Sequence, residues 1–456
     1  MEPELASNAS SRMSEQSRAA GAQGVCVPLT WHDGALRVHV VAGSPDPESQ
    51  GATKGLLVDS GSRDLALHAE DCAECGGRAH AAYVREDTIS SPHTAHAAVG
   101  EERAARTIRG SQGPVVRHLA DGREHLRRTC DVVRIWNGRR WTPLRALWEA
   151  RGSSPRGASD GAAAASAGGS ADTAADVDAS VQGADDGEIG GPCVTARGAH
   201  GLRFSAVIKR RPTPGLEGAS VSRGGTFGIG PGSWCTPPHT CVRLEIDARH
   251  GAGGRMWVGC DVPARDAHSP PLAELRLVSD VTREARPLAS AERGVPMLGS
   301  DTYRVRVNSL AVCAKRQGRQ RRRVLVPSGA QPTVAVVDTG STCMFVSRPL
   351  WHELQRLAGE GDGDAVAEVH LDGVCRNVTL CVPYSGSSRS GSGGSSPAPR
   401  SEACLRPLPK SVRLPSTVCL LGALALRGCT LLLAPGATPT GRGARAWMSA
   451  PNTAQF

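Results

Sequence analysis

The chain has 456 residues, with 53 Lys plus Arg against 44 Asp plus Glu and a formal charge of +9. Gly and Pro are abundant, at 54 and 31, while aromatic residues make up only 3%. This composition excludes a helical bundle or coiled coil and favours short strands, turns and unstructured inserts. No apolar run reaches the roughly 18 residues that a membrane-spanning helix needs. The longest, Val418 to Leu433, is broken by Gly422, Arg427 and Gly428.

The basic excess is almost all Arg, since Lys54, Lys209, Lys315 and Lys410 are the only lysines. Stacking platforms for nucleic acid need aromatics interleaved with the cations, and these are missing, so no nucleic-acid partner is expected. The 15 cysteines are scattered, which fits an oxidising compartment with disulfides and one thiol left over. The first residues, MEPELASNASSRMSEQSRAAGAQG, nevertheless show no apolar leader. Two sequons, Asn8-Ala-Ser and Asn377-Val-Thr, are compatible with secretion.

In chain order, residues 1–24 are polar and read as a disordered tail. Leu36 to Val41 alternates as a strand does, and Gly55 to Val58 is a second apolar run that ends at Asp59. Cys72-Ala-Glu-Cys75 with His80 offers three potential zinc ligands. A structural site needs four and there is no second Cys-Xaa-Xaa-Cys, so a disulfide or thiol loop is expected and no metal. His93 and His96 lie in polar sequence and read as exposed.

Residues 151–191 are low in complexity and almost without large apolar side chains. They cannot bury enough surface to offset the entropy of ordering, and read as a floppy insert. Strand-like runs follow at Ala206–Lys209, Val242–Ile246, Met256–Val258, Tyr303–Val307, Arg323–Val326 and Val334–Val337. Between the first two, Gly228-Ile-Gly-Pro-Gly232 mimics a dinucleotide loop, but Pro231 stands where a helix should start, so it reads as strand and turn. The basic run Lys315–Arg323 is an insert read as a solvated hairpin tip, with a nuclear signal or processing site as the alternatives. Arg348 to Leu357 carries the best helical period, through Leu350, Trp351, Leu354 and Leu357. Residues 385–403 form a second Gly/Ser-rich insert. The expected fold class is mainly β.

Two short segments repeat one another. Gly55-Leu-Leu-Val-Asp59-Ser60-Gly61-Ser62 and Val334-Ala-Val-Val-Asp338-Thr339-Gly340-Ser341 each run an apolar strand into Asp, a hydroxyl residue, Gly and a second hydroxyl residue. One such turn is an ordinary strand end. Two, in separate halves, suit a carboxylate pair. Carboxylates face to face cannot both ionise cheaply, so they hold a single proton. The ionised member can then take a proton from water while the other hydrogen-bonds a carbonyl. Gly allows the tight turn.

With these loops the sequence resembles the bilobal, pepsin-like aspartic proteases. Further segments match in order: Asp59 to Leu65, Cys72 to Cys75 with Tyr83, Gly225 to Gly230, Gly254 to Asp261, Tyr303 to Leu310, and Leu420 to Cys429. The Cys-rich loop and Asp338-Thr-Gly-Ser-Thr are similar to the apicomplexan plasmepsin V type. The resemblance spans roughly residues 25–440 outside the inserts. It implies a bilobal pepsin-like fold with long disordered inserts: an N-terminal lobe at 25–270, a C-terminal lobe at 271–440 and a C-terminal tail at 441–456.

The implied activity is an endopeptidase acting on protein or peptide substrates, without cofactor, as a monomer in the secretory pathway or outside the cell. Asp59 and Asp338 would activate water. Ser60 and Thr339 would brace the loops with Gly61 and Gly340, and Ser62 and Ser341 would hydrogen-bond the outer carboxylate oxygens. The family's flap carries a Tyr. The stretch Cys130 to Gly138 has none, and Trp136 is the candidate in its place. Ser60 stands for the usual Thr, and Ala423 for the usual Asp after the closing Leu-Gly. The alternative is a catalytically inactive protease-like protein that uses the cleft to bind peptides.

Overall fold

The computed structural model describes residues 24–32, 34–43, 55–75, 81–83, 115–119, 122–146, 192–195, 199–212, 224–233, 235–236, 240–249, 253–262, 272–278, 302–316, 319–326, 333–359, 364–385, 405–408, 418–436 and 443–451. The insert 151–191, residues 386–403 of the second insert, and His80, His93 and His96 lie outside them, as does the N-terminal tail up to residue 23.

The first half holds β1 (Val25–His32), β2 (Ala35–Val38), β3 (Val40–Ala42), β4 (Leu56–Asp59), β5 (Leu65–His68), β6 (Val115–Leu119), β7 (Gly122–Asp131), β8 (Val133–Trp136), β9 (Trp141–Pro143), β10 (Pro192–Val194), β11 (His200–Pro212) and β12 (Gly225–Gly228). A middle group follows: β13 (Thr240–Ile246), β14 (Gly254–Asp261) and β15 (Leu272–Glu274). The second half has β16 (Tyr303–Arg316), β17 (Arg319–Val326), β18 (Thr333–Val337), β19 (Met344–Val346), helix α1 (Arg348–Gly359), β20 (Asp364–Leu371), β21 (Val378–Ser385), β22 (Leu405–Pro407), β23 (Val418–Leu421), β24 (Thr430–Ala434) and β25 (Arg445–Ser449). The mainly β reading holds, and every strand-like run named above falls on a strand.

The strands form a 14-stranded sheet, an 8-stranded sheet and a 3-stranded sheet of β3, β8 and β9. Within the largest, β15, β25, β24, β13, β14 and β1 lie side by side, so the end of the chain pairs with its beginning through the middle strands. β25, inside the stretch expected as a tail, is a buried strand with Ala446 and Met448 fully enclosed. The basic run expected as an insert lies on the hairpin of β16 and β17, where Arg316 pairs with Arg319. Its cations are partly neutralised: Arg322 meets Glu368 at 2.8 Å and Arg323 meets Glu353 at 2.7 Å. Helix α1 starts where the helical period starts, and buries Leu354.

Both halves repeat one local topology. β4 runs parallel to β12, which is antiparallel to β5. β18 runs parallel to β23, which is antiparallel to β19. The turn after β4 and the turn after β18 therefore occupy equivalent places between three strands. Those strands are mostly apolar because both sheet faces are covered: β18 and β12 are buried at every residue. One continuous apolar core contains residues of both halves, from Val27 to Met448.

Cys72 and Cys75 are disulfide-bonded, in agreement with the loop reading, and Cys130 is bonded to Cys193. Cys343 is disulfide-bonded as well.

Candidate active site

Asp59 is the last residue of β4 and Asp338 follows β18 directly, so each carboxylate is delivered by a buried strand. The chain on both sides of each Asp is pinned. Ile229 N–H donates to Asp59 O at 2.9 Å, and Asp338 N–H donates to Leu421 O at 3.0 Å. The turns are held too, since Gly230 N–H donates to Ser62 O and Ala423 N–H to Ser341 O, both at 2.7 Å. The residue at 423 thus acts on the second turn through its backbone, which Ala supplies as well as Asp would.

The two turns meet. A Cβ built on Gly340 would lie 2.5 Å from Asp59 Oδ1 and 3.1 Å from Asp338 Oδ1. One built on Gly61 would lie 3.0 Å from Asp338 Oδ1 and 3.1 Å from Asp59 Oδ1. The inner oxygens of both carboxylates therefore converge on the space that the two glycines leave open. Gly61 N–H donates to Asp59 Oδ1 at 2.8 Å, and Gly340 N–H donates to Asp338 Oδ1 at 3.0 Å. These bonds fix the carboxylate planes.

Beneath the carboxylates lies a reciprocal set of buried bonds. Ser60 N–H donates to Thr339 Oγ1 and Thr339 N–H to Ser60 Oγ, each at 3.0 Å. Ser60 Oγ in turn donates to Val337 O at 3.0 Å, and Thr339 Oγ1 to Val58 O at 2.9 Å. Each hydroxyl accepts from the opposite loop and donates to the opposite strand. Both side chains are fully buried, so no water competes for these groups.

The outer oxygens differ. Ser341 Oγ donates to Asp338 Oδ2 at 2.7 Å, as expected. Ser62 Oγ instead accepts from Asp64 N–H at 3.3 Å. Trp136 packs against Trp141, with ring centroids 5.7 Å apart, and its backbone N–H donates to His39 O. The turn of that hairpin lies over Pro28 of β1. These contacts seat Trp136 in the three-stranded sheet. A separate hairpin, β6 and β7, precedes it, with Leu119 paired to Gly122 across its turn. The Asp121-Gly122 step is a sequence signal for that hairpin.

Three features beside the turns escape a reading of motifs. Gly34, at φ 75°, closes the β1–β2 hairpin, and a Cβ there would sit 3.3 Å from Thr342 Cγ2. The first half of the chain thus touches the second loop directly. Arg427 stacks over Trp31 of the same hairpin at 5.2 Å, half-buried, and burial lowers its pKa. Below the first loop, the Cys235 thiol is pushed up to about 12 by complete burial, which makes it an inert packing group. Among the described residues no group of three or more His, Cys, Asp or Glu is placed to hold a metal ion.

The sequence matches no known family profile and no curated protein. Among solved structures, the chain is similar to the aspartic proteinase from Irpex lacteus, at 10% identity and a TM-score of 0.44. The match covers 94% of this chain and 97% of that one.

Proposed function

We propose that the chain is an aspartic-type endopeptidase in which Asp59 and Asp338 share one proton and activate a water. The observation that carries this reading is the convergence of both Oδ1 atoms on one gap, above a reciprocal Ser60–Thr339 grip. A carboxylate pair that shares one proton holds both a base and an acid. The ionised partner takes a proton from water as the oxygen attacks the peptide carbonyl. The protonated partner gives its proton to the carbonyl oxygen. In collapse of the tetrahedral adduct the C–N bond breaks, and the Asp that took the water proton gives it to the leaving amine nitrogen. A hydroxyl of the adduct gives its proton to the other Asp, and the pair again holds one proton. No covalent intermediate forms. Ser60, Gly61, Thr339, Gly340 and Ser341 hold the geometry, while Ser62 supports the turn of the first loop.

The test is cleavage of a mixed peptide library across acid pH. The expected result is internal cleavage with a bell-shaped profile, lost by roughly 10²–10⁴-fold or more in Asp338→Asn. An Asp338→Asn protein as fast as the unmodified chain would overturn the proposal. Tight binding of a statine-type peptide without any turnover would favour a peptide-binding protein instead.

A further inference from the structure

The turn between β20 and β21 carries the sequon Asn377-Val378-Thr379, and its surroundings suit a carbohydrate. Val374, Cys375, Arg376 and Asn377 are all exposed. Asn377 Oδ1 accepts from Gly373 N–H at 3.4 Å, which turns the carboxamide nitrogen away from the turn. Val378 is buried at 2%, so the strand pleat leaves Asn377 and Thr379 on the outer side. The Thr379 hydroxyl lies 2.9 Å from His370 Nδ1 on the neighbouring strand.

A second observation gives such a group a purpose. β21 ends its sheet and has β20 as its one neighbour among the described strands. An edge strand offers unpaired N–H and C=O groups to other chains, and proteins blunt such edges with Pro, charge or cover. Pro383, exposed on β21, interrupts the far part. The near part, Val378-Thr-Leu-Cys-Val382, has no Pro and no charge. Beside it stands Val374, 48% exposed, one of two large apolar side chains so exposed among the described residues.

We propose that Asn377 is N-glycosylated and that the glycan covers the open edge of β21. The bonded cysteines, Cys72–Cys75, Cys130–Cys193 and Cys343, fit an oxidising compartment, and the proposal takes the donor to be a lipid pyrophosphate-linked oligosaccharide met there. The carboxamide nitrogen attacks the anomeric carbon. The bond from that carbon to the phosphate oxygen breaks, the lipid pyrophosphate leaves with the electron pair, and the nitrogen gives up one proton. This assignment is independent of the peptidase reading.

The experiment is translation of the whole chain, behind a cleavable secretion leader, with microsomes. The expected result is a mobility shift removed by endoglycosidase, one step of which is lost in Asn377→Gln and kept in Thr379→Ser. Asn8→Gln separates the other sequon. An Asn377→Gln chain that carries as many glycan steps as the unmodified chain overturns the assignment. For the secreted protein, enzymatic removal of the glycan should raise light scattering about twofold or more at equal concentration. Unchanged scattering overturns the covering role.

Discussion

The Ser60 hydroxyl accepts one bond and donates another, with no water at hand. Ser60→Ala would leave Thr339 N–H and Val337 O buried without these partners, at about 1–3 kcal/mol for each unsatisfied group. The expected outcome is a melting temperature lowered by several degrees, with Ser60→Thr close to the unmodified chain because Thr is accommodated in the equivalent place at 339. Gly340→Ala is harsher on function, since its Cβ would lie 2.5 Å from Asp59 Oδ1. A peptide assay on folded Gly340→Ala should find activity down by on the order of 10² or more, as expected for displaced reacting groups. At this scale the sequence was informative for the two Asp and their neighbours, because the same four-residue pattern occurs twice. It was uninformative for Arg37. That cation is fully buried, donating from Nε to His32 O and from Nη1 to Gly55 O, although its strand alternates like a half-exposed one. Burial of both sheet faces removes the signal that alternation would give.

The hairpin of β16 and β17 shows what an element does with a charge run. Arg322 on β17 and the Cys313 thiol on β16 both donate to Glu368 of β20, at 2.8 and 3.0 Å. The Cys313 S–H bond, then the Arg322 bond, hold the Glu368 carboxyl below its ordinary range. A depressed folded pKa gives stability that is present above the unfolded value, about 4.3, and is lost as pH falls through the folded one. Glu368→Gln should therefore melt below the unmodified chain near pH 7. The gap should be ~1 kcal/mol or less, because Arg322 is half exposed, and it should close as the pH drops below 4. A gap that stays constant in scans from pH 7 to 3 would contradict this. The run reads as an insert in sequence because cations of one sign predict repulsion, whereas Glu368 and Glu353, its partners, lie 30 or more residues further along. The β6–β7 hairpin is hard to read for a different reason: its one local signal is the Asp121-Gly122 step.

For the whole molecule, the Cys130–Cys193 bond ties β7 to β10 across a separation of 63 residues. Closing a loop of that size in the unfolded chain is worth about 4 kcal/mol in the chain-entropy account. The double variant Cys130→Ser/Cys193→Ser should lose stability on that scale in denaturant titration, with a Cys72→Ser/Cys75→Ser variant losing less because its loop is short. Equal losses would point to packing and not to loop closure. Disulfide partners were not legible in the sequence, where 15 cysteines admit a great many pairings. The mainly β class and the two equivalent turns were legible, because apolar strands ending in Asp-Xaa-Gly are local features. The central sheet was not, since β13 is far in sequence from its neighbour β24 and only the folded chain aligns them.

The reciprocal grip has a further consequence for any attempt to divide the protein. Val58 O, Ser60 N–H and the Ser60 hydroxyl find their partners on the Thr339 loop, and the Thr339 loop finds its own on them. Neither loop can satisfy its buried groups within its own half. Cut between the halves, the two pieces would each present an unfilled socket of matched donors and acceptors. Reassembly from separately produced fragments would then be recognition at that socket first, with the carboxylate pair restored only as its by-product.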